Sequence, residues 1–222
     1  MSKIYILKTH NFDNNNSILN SFIAQIRDVK IQKDSMRFRR NIERIGEILS
    51  YELSKKLMFL SKTIETPLGK TDIDIFKNNL VLCSVLRAGL PLHQGILNYF
   101  DSIENAFISA YRHHTTGDEF DIKVEYLASP TLEGKILILA DPMLATGKSL
   151  VAVYEILKKL GKIKQIHIVS VIAAKEGINY ITDHFPENTH LWVATVDDKL
   201  NSRGYIVPGL GDAGDLSFGS KL

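Results

Sequence analysis

The chain has 222 residues, with 27 basic against 25 acidic side chains for a formal charge of +2, and is 45% apolar and 23% charged. These are globular proportions, which exclude a disordered tail, a collagen-like repeat and a simple coiled coil. The near-neutral balance gives no global electrostatic reason to expect nucleic acid or an anionic membrane as the main partner. In chain order, the apolar run Ile4 to Leu7 is too short for a secretory core, and no stretch approaches the roughly 20 apolar residues that span a bilayer. A soluble, cytoplasmic protein is expected. Asn11 to Ser17 reads as a polar loop leading to a helix cap at Ser17, with Leu19, Phe22, Ile23 and Ile26 in helical spacing behind it. A second helix is predicted from Ser35, its apolar positions running from Phe38 to Leu60, and Thr66-Pro67-Leu68-Gly69 is expected to end this helical pair.

From there the texture changes. Buried strands are predicted near 80–86, 106–111, 136–140, 165–172 and 190–196, and helices near 89–99, 148–160 and 176–184. This alternation predicts a mostly parallel sheet covered by helices on both faces. The expectation is one α/β domain over 1–222 with a helical arm at 1–65 and an irregular, glycine-rich cap at 197–222.

The segment from Ile136 to Ser149 carries the strongest chemical signal. A strand runs into Asp141, then Pro142, Met143, Leu144, Ala145, Thr146 and Gly147, and then an amphipathic helix beginning at Lys148 and Ser149. A helix that begins beyond the carboxyl end of a parallel strand offers unpaired N–H groups and a positive dipole end to a phosphate. Asp141, an acceptor-only carboxylate, suits the hydroxyl pair of a ribose. Walker A is excluded, because it requires glycine five residues before Gly147 and position 142 is proline. An ordinary capped strand-to-helix turn is the competing account. Gly209, Gly211 and Gly214 spell a literal G-x-G-x-x-G, but a dinucleotide fold needs a following helix and an acidic residue about 20 positions on. A loop of tight turns whose backbone groups face a ligand, or a plain turn, are the remaining readings.

The sequence resembles uracil phosphoribosyltransferases. The resemblance is carried by Leu86-Arg87-Ala88-Gly89, Tyr111-Arg112, Asp141 to Ser149, and Gly204-Tyr205-Ile206 through Phe218-Gly219, with further matches from Arg27-Asp28 onward. It implies a phosphoribosyltransferase-like fold and the conversion of uracil and 5-phosphoribosyl 1-diphosphate (PRPP) into UMP and diphosphate with magnesium. It also implies a homodimer or larger homo-oligomer and admits GTP as an effector. By the resemblance, Asp141 to Ser149 hold the 5′-phosphate and ribose, and Arg87 and Arg112 contact the diphosphate. Ile206, Gly211, Asp212 and Ala213 hold uracil, with Asp212 also facing PRPP. Arg112, Asp141 and Asp212 are the candidate catalytic residues, magnesium arriving with PRPP rather than on a protein cage. Residues 113–121 are expected to form a flap, with a surface hairpin as the alternative. Lys148, Lys175 and Leu216 depart from the family pattern, where glycine, proline and a polar residue are usual.

Other candidates have plainer readings. Cys83 reads as a core thiol, His113 and His114 as exposed loop histidines, and His93 as surface or packing. Arg37, Arg39, Arg40 and Arg44 read as a solvated basic face, and Asp197, Asp198 and Asp212 as a weak metal cluster. A non-catalytic sensor of PRPP or UMP on the same fold is the alternative to a salvage enzyme, and the same chemistry on another base is a third possibility.

Overall fold

Ser17 opens the first helix as its position predicts. Its hydroxyl accepts the Leu19 N–H at 3.2 Å and its own N–H is held by the Asn20 side chain, a reciprocal capping box that starts α1 (Ile18–Arg27). Asp34 caps α2 (Ser35–Ser54) through the Arg37 N–H at 3.0 Å. The computed structural model describes residues 7–114 and 120–220, and the side chains of these apart from 110–124.

The helix predicted through Leu60 ends at Ser54. Lys55, Lys56 and Leu57 each bond back three residues rather than four, tightening the last turn until it stops. Phe59–Thr66 (β2) and Gly69–Phe76 (β3) then form an antiparallel hairpin, so Thr66 to Gly69 is its turn and not the end of a helical pair. Leu57 keeps the helical phase and is buried, whereas Leu60 shares the spacing by coincidence and is 52% exposed. On one face of the hairpin stand Leu60, Ile64, Ile73 and Ile75, and on the other Ser61, Thr63, Asp72 and Asp74.

The main sheet takes the order β1 (Lys8–Asn11), β10 (Thr189–Asp197), β9 (Gln165–Ala174), β7 (Ile136–Ala140), β4 (Leu80–Leu86), β5 (Glu104–His114) and β6 (Phe120–Ala128). All neighbours are parallel except β5 and β6. A two-residue strand, β8 (Met143–Leu144), adds to the end of β9. Helices α1, α2 and α3 (Leu90–Leu97) cover one face, and α4 (Lys148–Leu157) and α5 (Lys175–His184) the other. The central strands β4 and β7 are buried almost throughout, as continuous apolar runs in a doubly covered parallel sheet must be. The expected mostly parallel α/β architecture is therefore present.

The 113–121 segment predicted as a flap begins and ends on the β5–β6 ladder, and its tip, 115–119, lies outside the described residues. The tail is more regular than expected. Its strands β11 (Lys199–Leu200) and β12 (Ile206–Val207) pair antiparallel, and a short helix, α6 (Ala213–Phe218), follows. Asp212 starts α6 by accepting the Asp215 N–H at 3.0 Å, a cap that the glycine-rich composition conceals. Leu216, one of the family departures, packs against the core. Among the described residues no helix is long and apolar enough to cross a membrane.

A polar cluster interrupts the core near the start of β10. His10 Nε2 lies 3.1 Å from His190 Nδ1, and the His10 ring stacks on Trp192, whose indole donates to His167 Nδ1 at 3.0 Å. Burial lowers His190 to about 4 and His167 to about 3, with repulsion from neighbouring histidines adding to both.

Candidate active site

Three chain segments meet at the carboxyl edge of the parallel strands. The first follows β7. Asp141 accepts the Met143 N–H at 3.2 Å through its carboxylate, and its carbonyl accepts the Ser170 hydroxyl at 2.6 Å. The Pro142 carbonyl takes the N–H groups of both Val171 and Ile172, so the loop is moored along β9. Gly147 then turns with φ +77°, in the left-handed region, and becomes the N-cap of α4 without a side chain to close the first turn. A small cavity is lined by Asp141, residues 143–147, Ser149 and Leu150. Burial pushes the Asp141 carboxyl up to about 6, only partly offset by the Met143 N–H. Lys148 is exposed beside this loop.

The loop has a floor that the sequence analysis did not single out. The backbone of Gly177, in the first turn of α5, lies so close that an added Cβ would stand 2.3 Å from the Ala145 carbonyl oxygen. Lys175, which replaces a proline, begins α5 and pairs with Asp198 at 2.6 Å in an exposed position, while Glu176 accepts the Leu200 N–H at 3.2 Å. The departure at 175 is thus accommodated as a helix start.

The second segment follows β4. The Leu86–Arg87 peptide is cis. Gly89 abuts the end of β7, where a Cβ would meet the Ala140 oxygen at 3.2 Å. Arg87 donates to Asp215 at 3.4 Å and to the Gly219 carbonyl at 3.0 Å, while its Nε–H is buried without an acceptor among the described residues. Behind it, Ser84 and His93 share a buried 2.7 Å hydrogen bond, so His93 is a core residue rather than a surface one. Burial lowers His93 to about 4.

The third segment is the tail. A Cβ added at Gly214 would stand 3.9 Å from the Ala88 Cβ, so α6 runs close to the Arg87 loop and meets it through the Arg87–Asp215 pair. Arg39 fixes the other end of α6 by donating to the Ser217 carbonyl at 2.6 Å, with Phe218 beneath its guanidinium. The basic face of α2 is therefore only partly solvated: Arg39 is engaged with the tail, Arg40 with Glu43 and Arg44 with Asn41. Ile206 and Ala213 are buried, and Gly211 is exposed.

Arg87 meets α6, which Asp212 caps, and the 141–149 and 206–213 loops both pack against the same core cluster. Arg112 stands on β5, next to β4 in the sheet, with its side chain outside the described residues. The aspartates read as a weak metal cluster have other occupations. Asp197 is bound by Arg27 at 2.8 Å, Asp198 by Lys175 at 2.6 Å, and Asp212 caps α6. Among the described residues no three His, Cys, Asp or Glu side chains stand together as a metal site. Cys83 is buried, which pushes its thiol up to about 12 and makes it a core residue rather than a nucleophile.

An acidic residue, a glycine-turned loop and an open helix N-terminus at the carboxyl edge of a parallel sheet form the kind of place where an anionic group such as a phosphate is held. The family profile described as uracil phosphoribosyltransferase matches residues 14–220. A curated uracil phosphoribosyltransferase of Porphyromonas gingivalis is 51% identical over 93% of this chain and 95% of its own. The one of Thermococcus gammatolerans is 39% identical over 90% of this chain and 88% of its own. The AQ2163 protein of Aquifex aeolicus superposes with a TM-score of 0.84 at 28% identity, over 95% of this chain and 98% of that one. The chain belongs to the uracil phosphoribosyltransferase family.

Proposed function

We propose that this chain converts uracil and PRPP into UMP and diphosphate at the carboxyl edge of its sheet, as a cytoplasmic enzyme of pyrimidine salvage. The observation that carries the assignment to this place is the position of the 87–89 loop, beside the end of β7 that leads into 141–149 and joined to Asp215 of the tail, in a member of that family. In this reading residues Asp141 to Ser149 take the 5′-phosphate at the α4 N-terminus and the ribose hydroxyls on Asp141. Arg87, whose Nε–H lacks an acceptor among the described residues, takes the diphosphate together with Arg112. Ile206, Gly211, Asp212 and Ala213 take uracil. Because Ile206 and Ala213 have buried side chains, recognition there falls to backbone N–H and C=O groups, which can match the alternating acceptors and donors of a pyrimidine edge.

Departure of diphosphate from the anomeric carbon gives a transition state of oxocarbenium character. The chain's part is to hold the base in line, to place arginine charge at the leaving group and to exclude water. The donors available suit magnesium carried by the substrate: Asp141 is a carboxylate beside the phosphate loop, and this ion is commonly held by one or two carboxylates with substrate oxygens. When bound it would neutralise charge on the leaving diphosphate. We place homo-oligomer formation on the apolar face of the β2–β3 hairpin, where Leu60 and Ile73 are 52% and 46% exposed. A GTP effect is part of the same proposal.

The test is turnover of labelled uracil by the purified protein with PRPP and magnesium, with and without GTP, against cytosine and hypoxanthine. Uracil-selective, PRPP-dependent UMP formation is expected. Binding of PRPP or UMP without turnover would replace the enzyme with a sensor.

A further inference from the structure

Outside the three segments, one charged group reaches into the base loop from the opposite end of the chain. Arg27 closes α1. Its guanidinium grips Asp197, at the end of β10, with two bonds of 2.8 and 2.9 Å, and its Nη1 also donates to the Gly209 carbonyl at 3.2 Å. Asp197 in turn accepts the Gly209 N–H at 2.8 Å. Both polar groups of the Gly209 peptide unit's residue are therefore held by charged partners, the stronger kind of hydrogen bond. Thr195 accepts a fourth Arg27 bond at 3.3 Å, and Asp13 accepts from Thr195 and from the Val196 N–H, which ties the end of β10 to the loop before α1.

Gly209 is not a bystander in the tail. It turns with φ +63°, and an added Cβ would stand 2.1 Å from the Ile206 carbonyl oxygen. The glycine backbone is thus pressed against the residue that begins the proposed base site. Besides the exposed Lys175–Asp198 pair, the ion pairs Arg87–Asp215 and Arg27–Asp197 anchor the tail, and the settings of these two decide which one sets the loop. Arg87 and Asp215 meet at 3.4 Å with side chains 40% and 39% exposed, where water weakens the attraction. Arg27 and Asp197 meet at 2.8 Å with exposures of 22% and 8%, in bidentate geometry. We infer that Arg27, with Asp197, is a positioning residue for the pyrimidine: the pair clamps Gly209 from both sides and so fixes the Ile206–Ala213 backbone that reads the base. The inference rests on the base-site assignment above. A site that reads its ligand through backbone atoms needs them held within about 0.5 Å, and no side-chain rotamer is available to correct an error.

The experiment measures KM for uracil and for PRPP, each at saturating co-substrate, in wild type, Arg27→Lys, Arg27→Met and the core variant Leu53→Ala. Lysine keeps the charge but lacks the fork that spans Asp197 and Gly209, so it retains the fold while loosening the clamp. Arg27→Lys is expected to raise the uracil KM about tenfold, with the PRPP KM within about threefold, and Arg27→Met to raise it further. Leu53→Ala is expected to lower Tm without separating the two constants, which distinguishes positioning from general loosening. Uracil and PRPP constants that move together, or a uracil KM unchanged in Arg27→Lys and Arg27→Met, would overturn the inference. Photolabelling of wild type with 5-iodouracil, mapped by peptide mass spectrometry, separates the two levels of the argument. A label outside 204–215 overturns the base site and the clamp with it. A label within that peptide, with unchanged uracil KM in the variants, overturns the clamp alone.

Discussion

Asp141 carries a cost that its position imposes. An aspartate raised from its ordinary 3.8 to about 6 binds its proton more tightly folded than unfolded. Its contribution to stability therefore falls as pH rises from about 4 to about 6 and stays low above that, by up to about 3 kcal/mol. Asp141→Asn removes this term. The unliganded variant is expected to melt higher than wild type at pH 8, the difference shrinking toward pH 4, while PRPP-dependent turnover drops by 100-fold or more, on the order of losing a ligand-ordering group. Melting curves across pH and one rate measurement check both halves; parallel curves would remove the burial argument. Gly147→Ala is a second case. Its φ of +77° disfavours any side chain, and the new methyl would meet Gly177, Ile181 and Tyr180 atoms at 3.0–3.1 Å. A loss of about 1–2 kcal/mol in unfolding free energy and a raised PRPP KM are expected.

Among elements, α5 acts on the phosphate loop through a single missing methyl. Ala at a helical glycine ordinarily gains about 1 kcal/mol. At Gly177 the Cβ would stand 2.3 Å from the Ala145 oxygen, so the clash outweighs propensity. Gly177→Ala is expected to destabilise by about 1–3 kcal/mol and to raise the PRPP KM more than the uracil KM, as steady-state kinetics would show. For the hairpin, the double variant Leu60→Ser/Ile73→Ser is expected to give a smaller species by light scattering with the fold intact by circular dichroism. Elements of this kind were unevenly legible in the sequence. The buried strands and the turn at Asp141 to Ser149 were readable because apolar runs and glycine punctuation are local signals. The hairpin was hidden because Leu57 and Leu60 continue a helical spacing by chance. Helix α6 was hidden because one aspartate cap, not an apolar stripe, starts it. The Arg27–Asp197 contact joins residues 170 positions apart and leaves no local trace.

For the molecule as a whole, pH acts through two opposed groups of residues. His167 and His190 are held neutral by burial, lowered to about 3 and about 4 from an ordinary 6.5. Their contribution is complete above pH 6.5 and is lost as pH falls toward those values, a few kcal/mol in all. Asp141 slopes the other way over part of the same range. His190→Gln is expected to flatten the acid side of the melting profile between pH 6.5 and 4.5, and Asp141→Asn to steepen it; an unchanged acid slope in His190→Gln would dismiss the cluster as a determinant. The Gly209 clamp bears also on the order in which the molecule assembles. The phosphate loop and its floor span only Asp141 to Gly177, whereas Arg27 must find a partner 182 positions further along the chain. Contacts so distant in sequence close late, after local ones have formed. A refolding chain should therefore acquire the capacity to bind a phosphorylated sugar before it can select a base, and a nascent chain should remain unable to select one until the 206–213 loop has been made.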